Sequence, residues 1–99
     1  MLIQYALCGV KNKGSQKERI LVFDQEGVQK LAVRIKALRE ELGLSQEDVA
    51  HGGAISVSQV SRIERGLLNP TVSTIFYIAR AMKVPVAELF QFELTPLDE

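Results

Sequence analysis

The spacing of hydrophobic positions changes near Asp24 and divides the chain into two parts. Downstream of this point, apolar side chains recur every three or four residues, at Val28, Leu31, Ile35, Leu38 and Leu42. This spacing predicts the buried stripe of an amphipathic helix. Gly43 follows the last apolar position and is suited to a left-handed helix cap.

The part upstream has the pattern of strands. Two short apolar runs, Leu2 to Val10 and Arg19 to Phe23, are rich in residues that favour strands. The polar stretch Lys11 to Gln16 between them has the composition of a turn. We therefore expect an N-terminal β-hairpin extension over residues 1–23. An isolated hairpin is barely stable, so it must pack on the helical part or on a second copy.

Two short capped helices are expected after the first. Ser45 and Asp48 have the spacing of a capping box, in which each side chain accepts a hydrogen bond from the other residue's N–H. The glycine pair at 52–53 ends this second helix after about two turns. Ser56 and Gln59 repeat the capping arrangement at the start of a third helix.

A non-helical link and two further helices follow. Asn69 precedes Pro70, and proline disfavours helical conformation in the residue before it. Thr71 then begins a fourth helix. Its predicted apolar face consists of Val72, Ile75, Ile78, Ala79 and Met82. Pro85 suits the first turn of a short fifth helix, about Val86 to Phe90.

Length and composition fit one globular domain, with 99 residues of which 46% are apolar. The twelve basic and twelve acidic side chains cancel, so the net charge does not indicate a nucleic-acid partner. Their distribution is uneven. Residues 29–83 carry eight basic and five acidic groups, whereas residues 84–99 carry four acidic groups and no basic one. A mildly basic middle is compatible with DNA binding, and we expect the acidic tail, residues 93–99, to fray.

The sequence lacks the residue combinations that carry catalysis or metal binding. Cys8 is the only cysteine, which excludes an internal disulfide, and its apolar neighbours favour a packing role. His51 has no evident partner, and no Ser/His/Asp set, paired carboxylates or phosphate-binding glycine loop accompanies it. We expect no enzyme activity, no cofactor and no metal. No apolar run approaches the roughly 20 residues of a membrane span, and residues 1–10 lack a basic leader, so we expect a cytoplasmic protein with no membrane partner.

The second and third predicted helices have the features of a unit that enters a DNA groove. Ala50 is small enough for the point where the two helices cross, and Val60 and Ile63 are spaced to face inward on the third helix. The opposite side of that helix then presents Val57, Ser58, Ser61 and Arg62. The major groove of B-DNA, about 12 Å wide, admits one such helix.

A series of short motifs at fixed spacing indicates a known protein family. The motifs are Arg34-Ile35, Leu38-Arg39, Gly43 to Ala50, Val60 to Gly66, Asn69 to Thr71, Ile78 to Ala81 and Glu88 to Phe90. The stretch from Leu31 to Phe90 resembles the lambda-repressor-like (XRE-type) helix-turn-helix family without a gap. The resemblance implies a mainly α, five-helix DNA-binding domain over residues 24–92, to which the hairpin is an extension.

The resemblance also implies roles for individual residues, because the third helix of that family is its recognition helix. The positions that would read bases are Ser56, Val57, Ser58 and Arg62. The positions that would contact phosphates are Ser45, Gln46, Gln59, Ser61, Arg65 and Asn69. Arg62 could pair with a guanine, a contact worth about 1–3 kcal/mol of discrimination, or remain a solvated helix residue. Glu64 is expected to be structural and to bond to Arg34 or Arg39.

One position departs from the family pattern. The family has glycine at the turn position that Ala54 holds here, and glycine stands one residue earlier, at Gly53. If Ala54 kept a positive φ, the cost would be roughly 1 kcal/mol. Otherwise Gly53 takes over the left-handed position and the turn shifts slightly.

The function implied is a sequence-specific transcriptional regulator, a repressor, that binds double-stranded DNA. A single recognition helix touches few base pairs, so we expect a homodimer on a roughly palindromic operator. The dimer could form through Met82 to Phe92 or through the hairpin. The alternative is an antitoxin-like module that binds a protein partner, with the apolar hairpin and acidic tail as docking surfaces, and that also represses its own promoter.

Overall fold

The computed structural model of the chain describes residues 22–97, which are mainly helical and contain no strand. Four α-helices follow one another, α1 (Gln25–Glu41), α2 (Gln46–Ala50), α3 (Val57–Glu64) and α4 (Val72–Met82), and a 3₁₀ helix (Val86–Phe90) comes after them. No helix in this part of the chain is long and apolar enough to cross a membrane. The predicted β-hairpin falls almost wholly in residues 1–21, outside the described residues. Its last two positions, Val22 and Phe23, are not in a strand.

The prediction of a five-helix domain is wrong, because the described residues contain four α-helices and the short fifth helix expected at Val86–Phe90 is a 3₁₀ helix. The Glu88 N–H donates to the Pro85 carbonyl at 2.9 Å, the tight i→i+3 bond of a 3₁₀ turn. In a continued α-helix the Glu88 carbonyl would accept from the N–H of Phe92. Instead the Glu88 carbonyl accepts from Arg34 Nε on α1 at 2.7 Å, and the Phe92 N–H donates to the Phe90 carbonyl at 2.8 Å. A tertiary contact therefore replaces the bond that would have extended the helix.

Side-chain caps begin all four α-helices. Asp24 Oδ1 accepts from the Gly27 N–H at 2.8 Å, and the Thr71 hydroxyl accepts from the Thr74 N–H at 3.2 Å. The starts of α2 and α3 carry the complete capping boxes that the sequence predicts. A cap of this kind contributes about 1 kcal/mol, which matters most for the two shortest helices.

The core lies where the four α-helices and the 3₁₀ helix meet. Its most deeply buried large side chains are Ile35, Val49, Val60, Ile78 and Leu89. Two positions assigned to apolar faces are instead exposed, Leu42 at 45% and Val72 at 66%. Both stand at helix ends, where the neighbouring turn that would cover them is missing: Leu42 caps α1 and Val72 is the first residue of α4.

Residues 93–95, in the tail that is predicted to fray, are held along the start of α1. Lys30 Nζ donates to the Glu93 carbonyl at 2.6 Å. The Glu26 carboxylate accepts from the N–H and the hydroxyl of Thr95 and pairs with Lys30 at 2.9 Å. These hydrogen bonds, the one from Lys30 first, lower the pKa of the Glu26 carboxyl.

Lys83 ends α4 in the left-handed conformation, with φ at 59°, and is the only non-glycine residue with positive φ among residues 22–97. A side chain makes this conformation costly, so Lys83→Gly should raise the free energy of unfolding by about 0.5–1 kcal/mol. Chemical denaturation measures the change. The control is Lys36→Gly, in the exposed middle of α1, which should lower the same quantity by about 1 kcal/mol. If the Lys83→Gly protein were no more stable than the parent, the left-handed conformation of Lys83 would not be strained.

Candidate nucleic-acid interface

The inner side of α3 is packed as the sequence predicts. Val60 is 1% and Ile63 is 2% exposed, and Ala50 on α2 is buried beside them. The small alanine side chain lets α2 approach α3 closely. The opposite side of α3 is therefore free to meet a partner.

The four predicted base-reading residues lie at the start and along the outer side of α3. Ser56, Val57, Ser58 and Arg62 are all exposed. Ser58 and Arg62 are four residues apart and so share one helix face. Val57, 39% exposed, offers an apolar contact next to them. Within residues 22–97 Arg62 forms no ion pair, so its guanidinium is available to a ligand.

Two of the predicted phosphate-contacting residues, Ser45 and Gln59, belong to capping boxes. The Ser45 hydroxyl accepts from the Asp48 N–H at 2.9 Å, while the Asp48 carboxylate accepts from the Ser45 N–H at 2.8 Å. That N–H is the main reason why the pKa of the Asp48 carboxyl is lowered. At α3, Gln59 Oε1 accepts from the Ser56 N–H at 3.1 Å, and the Ser56 hydroxyl accepts from the Gln59 N–H. The Gln59 amide nitrogen points to no partner in the capping box and remains a donor.

Three further predicted phosphate contacts lie at the other end of α3 or beyond it. Arg65 Nε donates to the Ser61 hydroxyl at 3.2 Å and to the Ser61 carbonyl at 3.3 Å, so the two residues act as one unit. Asn69 is exposed in the link to α4. The structure therefore does not gather the phosphate candidates into one cluster. Ser45 and Gln46 lie at the start of α2, Gln59 lies in the first turn of α3, and Ser61, Arg65 and Asn69 follow along the chain.

A buried ion pair anchors the C-terminal end of α3. Arg39 Nε and Nη2 donate to Glu64 Oε2 and Oε1 at 2.6 and 2.9 Å, and the two side chains are 10% and 2% exposed. Arg39 Nη1 also donates to the Leu44 carbonyl at 2.8 Å, and Gln46 Nε2 donates to Glu64 Oε1 at 3.0 Å. The bonds to Glu64 raise the pKa of the Arg39 guanidinium. The sequence predicts Arg34 or Arg39 as the partner of Glu64. In the structure the partner is Arg39, and Arg34 pairs with Glu88 instead.

The turn between α2 and α3 places glycine, not alanine, in the left-handed conformation. Gly53 has φ at 85°, and Ala54 has no positive φ. Gly53 therefore holds the left-handed position, one residue before Ala54, which avoids the strain that a side chain would add there.

Sequence reasoning missed one residue that contacts this turn. The Tyr77 hydroxyl, on α4, accepts from the Gly52 N–H at 3.0 Å and donates to the Val49 carbonyl at 2.9 Å. These contacts span 25 and 28 residues, and no local pattern signals them. His51, in the same turn, is exposed. No group of three or more metal-binding side chains comes together in residues 22–97.

Comparison with known proteins identifies the domain. The helix-turn-helix family model HTH_3 matches residues 35–89. The uncharacterized HTH-type transcriptional regulator y4dJ of Sinorhizobium fredii is 44% identical over 62 residues, which are 63% of this chain and 75% of that protein. The cryptic phage CTXphi transcriptional repressor RstR of Vibrio cholerae is 35% identical over 66 residues, and the match spans 67% of this chain but only 60% of the repressor.

Solved structures of similar fold include controller proteins of restriction-modification systems. The controller C.AhdI of Aeromonas hydrophila has 35% sequence identity and a TM-score of 0.61, covering 64% of this chain and 96% of the controller. The controller C.Esp1396I, solved as a tetramer in complex with its natural 35-base-pair operator, has 28% identity and a TM-score of 0.63, covering 69% and 90%. The capped α2–turn–α3 unit and these matches lead to one conclusion: the chain belongs to the XRE-type helix-turn-helix family HTH_3.

Proposed function

We propose that this protein is a transcriptional regulator, a repressor, that binds double-stranded DNA with α3 in the major groove. The observation that carries the proposal is the contrast between the two sides of α3. Its inner side is buried and tied to α1 through Glu64, while its outer side is exposed. A rigid helix with a free polar face is what direct readout of base edges requires. The regulators and the operator-bound controller among its relatives support the same function.

Each exposed side chain of α3 has a role that its chemistry suits. We assign Ser56, Val57, Ser58 and Arg62 to base edges. Val57 has no hydrogen bond to give but can pack on a thymine methyl, and the Arg62 guanidinium can donate two bonds to guanine O6 and N7. The polar residues around the helix ends, together with the N-terminal N–H groups of α2 and α3, would hold the phosphates. These residues are Ser45, Gln46, Gln59, Ser61, Arg65 and Asn69.

Useful specificity requires two recognition helices, so the proposal includes a homodimer on a roughly palindromic operator. Within residues 82–92, Met82 and Leu89 are buried in the core, whereas Val86 and Phe90 are 37% and 48% exposed. These two apolar side chains support this surface as the interface. Residues 1–23 are the second candidate. A DNA-binding repressor of this kind acts in the cytoplasm and needs no catalytic group.

Selection of bound sequences from random duplex DNA tests the function. The full chain should enrich a site with two related halves separated by about one helical turn, roughly 34 Å. Absence of any enriched sequence at moderate salt would contradict a sequence-specific regulator. It would favour the antitoxin-like alternative, which one observation supports: an apolar groove of about 490 Å³ runs between α1 and the C-terminal segment, lined in part by Val33, Ala37 and Phe92.

Arg62 and Arg65 should respond differently to alanine substitution, because the first is assigned to a base and the second to a phosphate. Arg62→Ala should lose about 1–3 kcal/mol of discrimination at one base pair of each half-site. Arg65→Ala should weaken binding about equally on all sequences and reduce the salt dependence by about one counterion. Titrations of the operator and its single-base variants measure both. If Arg62→Ala lost affinity equally on all these sequences, Arg62 would be assigned to a phosphate contact instead of a base contact.

A further inference from the structure

The end of α2 is completed by a side chain from another helix. In a continued α-helix the Gly53 N–H would donate to the Val49 carbonyl. Here it donates to the Ala50 carbonyl at 2.9 Å. The Val49 carbonyl is therefore one of the carbonyls that the C-terminal end of a helix leaves without an intrahelical partner. The Gly52 N–H also has no backbone acceptor among the described residues, because the last turn tightens and the Asp48 carbonyl accepts from the His51 N–H at 3.3 Å instead.

One hydroxyl group satisfies both of these backbone groups. Tyr77 Oη accepts from the Gly52 N–H at 3.0 Å and donates to the Val49 carbonyl at 2.9 Å. The turn lies so close to the ring that a Cβ on Gly52 would be 2.8 Å from this oxygen. Gly52 and Tyr77 are thus matched, since the close approach requires glycine and the bridge requires the hydroxyl.

The bridge fixes a part of the turn that has few other anchors. All residues from His51 to Ala54 are exposed, and Ile55 is the first buried residue after α2. On α3 itself, the buried positions begin at Val60. The position of the first turn of α3 therefore depends on the turn that precedes it.

We propose that Tyr77 is a positioning residue for DNA recognition. Its hydroxyl holds the α2–α3 turn against α4, and thereby sets the angle at which Ser56, Val57 and Ser58 meet the base edges. This inference rests on the proposed function. Base contacts depend on alignment, whereas phosphate contacts are made by long or mobile groups, so loss of the bridge reduces specific binding more than non-specific binding.

The first test compares the full chain with Tyr77→Phe on the selected operator and on a scrambled duplex of equal length. Operator affinity should fall about tenfold, within the range of one lost base contact, and scrambled-duplex affinity should stay within about twofold. The matched control is Ile78→Val, which removes one buried methylene from α4 and leaves the Tyr77 hydroxyl in place. It should lower stability and leave the ratio of the two affinities unchanged.

Gly52→Ala provides a second variant that disturbs the same bridge from the other side. It should lower the affinity ratio as Tyr77→Phe does, and the double variant should lose little more than either single variant, because both remove one interaction. The amide hydrogen of residue 52, which donates to the Tyr77 hydroxyl in the parent chain, should exchange faster in both variants. Equal losses on operator and scrambled duplex, or an unchanged ratio in both single variants, would overturn the role of Tyr77. If the parent chain itself prefers no sequence, the proposed function fails and this inference with it.

Discussion

Arg39→Met should lower the free energy of unfolding by about 3–5 kcal/mol, because it leaves the Glu64 carboxylate buried without its charge partner. The Glu64 side chain is 2% exposed, and among residues 22–97 only the Gln46 amide would still donate to it. A domain of this size has a total stability of about 5–15 kcal/mol. The variant should therefore be partly unfolded at moderate temperature, and urea denaturation followed by circular dichroism measures the difference.

Two controls separate the buried charge from the loss of an arginine. Arg34→Met breaks the partly exposed pair with Glu88, whose side chains are 26% and 42% exposed, and the bond to the Glu88 carbonyl. It should cost about 1–2 kcal/mol. The double variant Arg39→Met with Glu64→Leu removes both charges and should recover most of the loss. The buried pair is not a stability determinant if Arg39→Met costs no more than Arg34→Met.

Ser58→Glu should abolish specific DNA binding, with an affinity loss of about a hundredfold or more. A carboxylate on the outer face of α3 would lie among phosphates, and like charges in an interface cost several kcal/mol. The fold should tolerate the change, because Ser58 is exposed and is the second residue of α3, where the helix dipole favours an acidic side chain. Titration of the operator by fluorescence anisotropy measures the affinity, and thermal unfolding checks the fold.

The control for this prediction adds the same charge elsewhere. Ala37→Glu places a carboxylate at an exposed position of α1 and changes the net charge by the same amount. Its operator affinity should stay within a few-fold of the parent, because exposed charges more than about 10 Å apart are largely screened at ordinary salt. Equal losses in the two variants would show that net charge, rather than the face of α3, decides binding.

Features set by neighbouring residues could be predicted from the sequence. The capping boxes of α2 and α3 depend on side chains three residues apart, so Ser45 with Asp48 and Ser56 with Gln59 are readable as local patterns. The inward positions of α3 follow from helical spacing in the same way. The residue with left-handed conformation in the α2–α3 turn could be predicted to be either Gly53 or Ala54. In the structure it is Gly53, because only glycine adopts positive φ without strain.

Features set by distant residues could not be predicted. The 3₁₀ geometry after Pro85 depends on Arg34, which lies 54 residues before Glu88 and donates a hydrogen bond to the Glu88 carbonyl. The path of residues 93–95 depends on Glu26 and Lys30, on the first turns of α1. The sequence contains the same residue types whether or not such contacts form, because packing of the whole domain decides which groups meet. The roles of the α3 side chains toward DNA remain predictions for the same reason.

Parallel selection from one random duplex library, with the parent chain and Ser58→Glu at the same salt, tests the recognition role of α3 most directly. The parent should enrich a two-half site, and Ser58→Glu, folded to the same extent, should enrich no sequence. A parent chain without an enriched site, or a Ser58→Glu chain that enriches the same site as the parent, would contradict recognition through the outer face of α3.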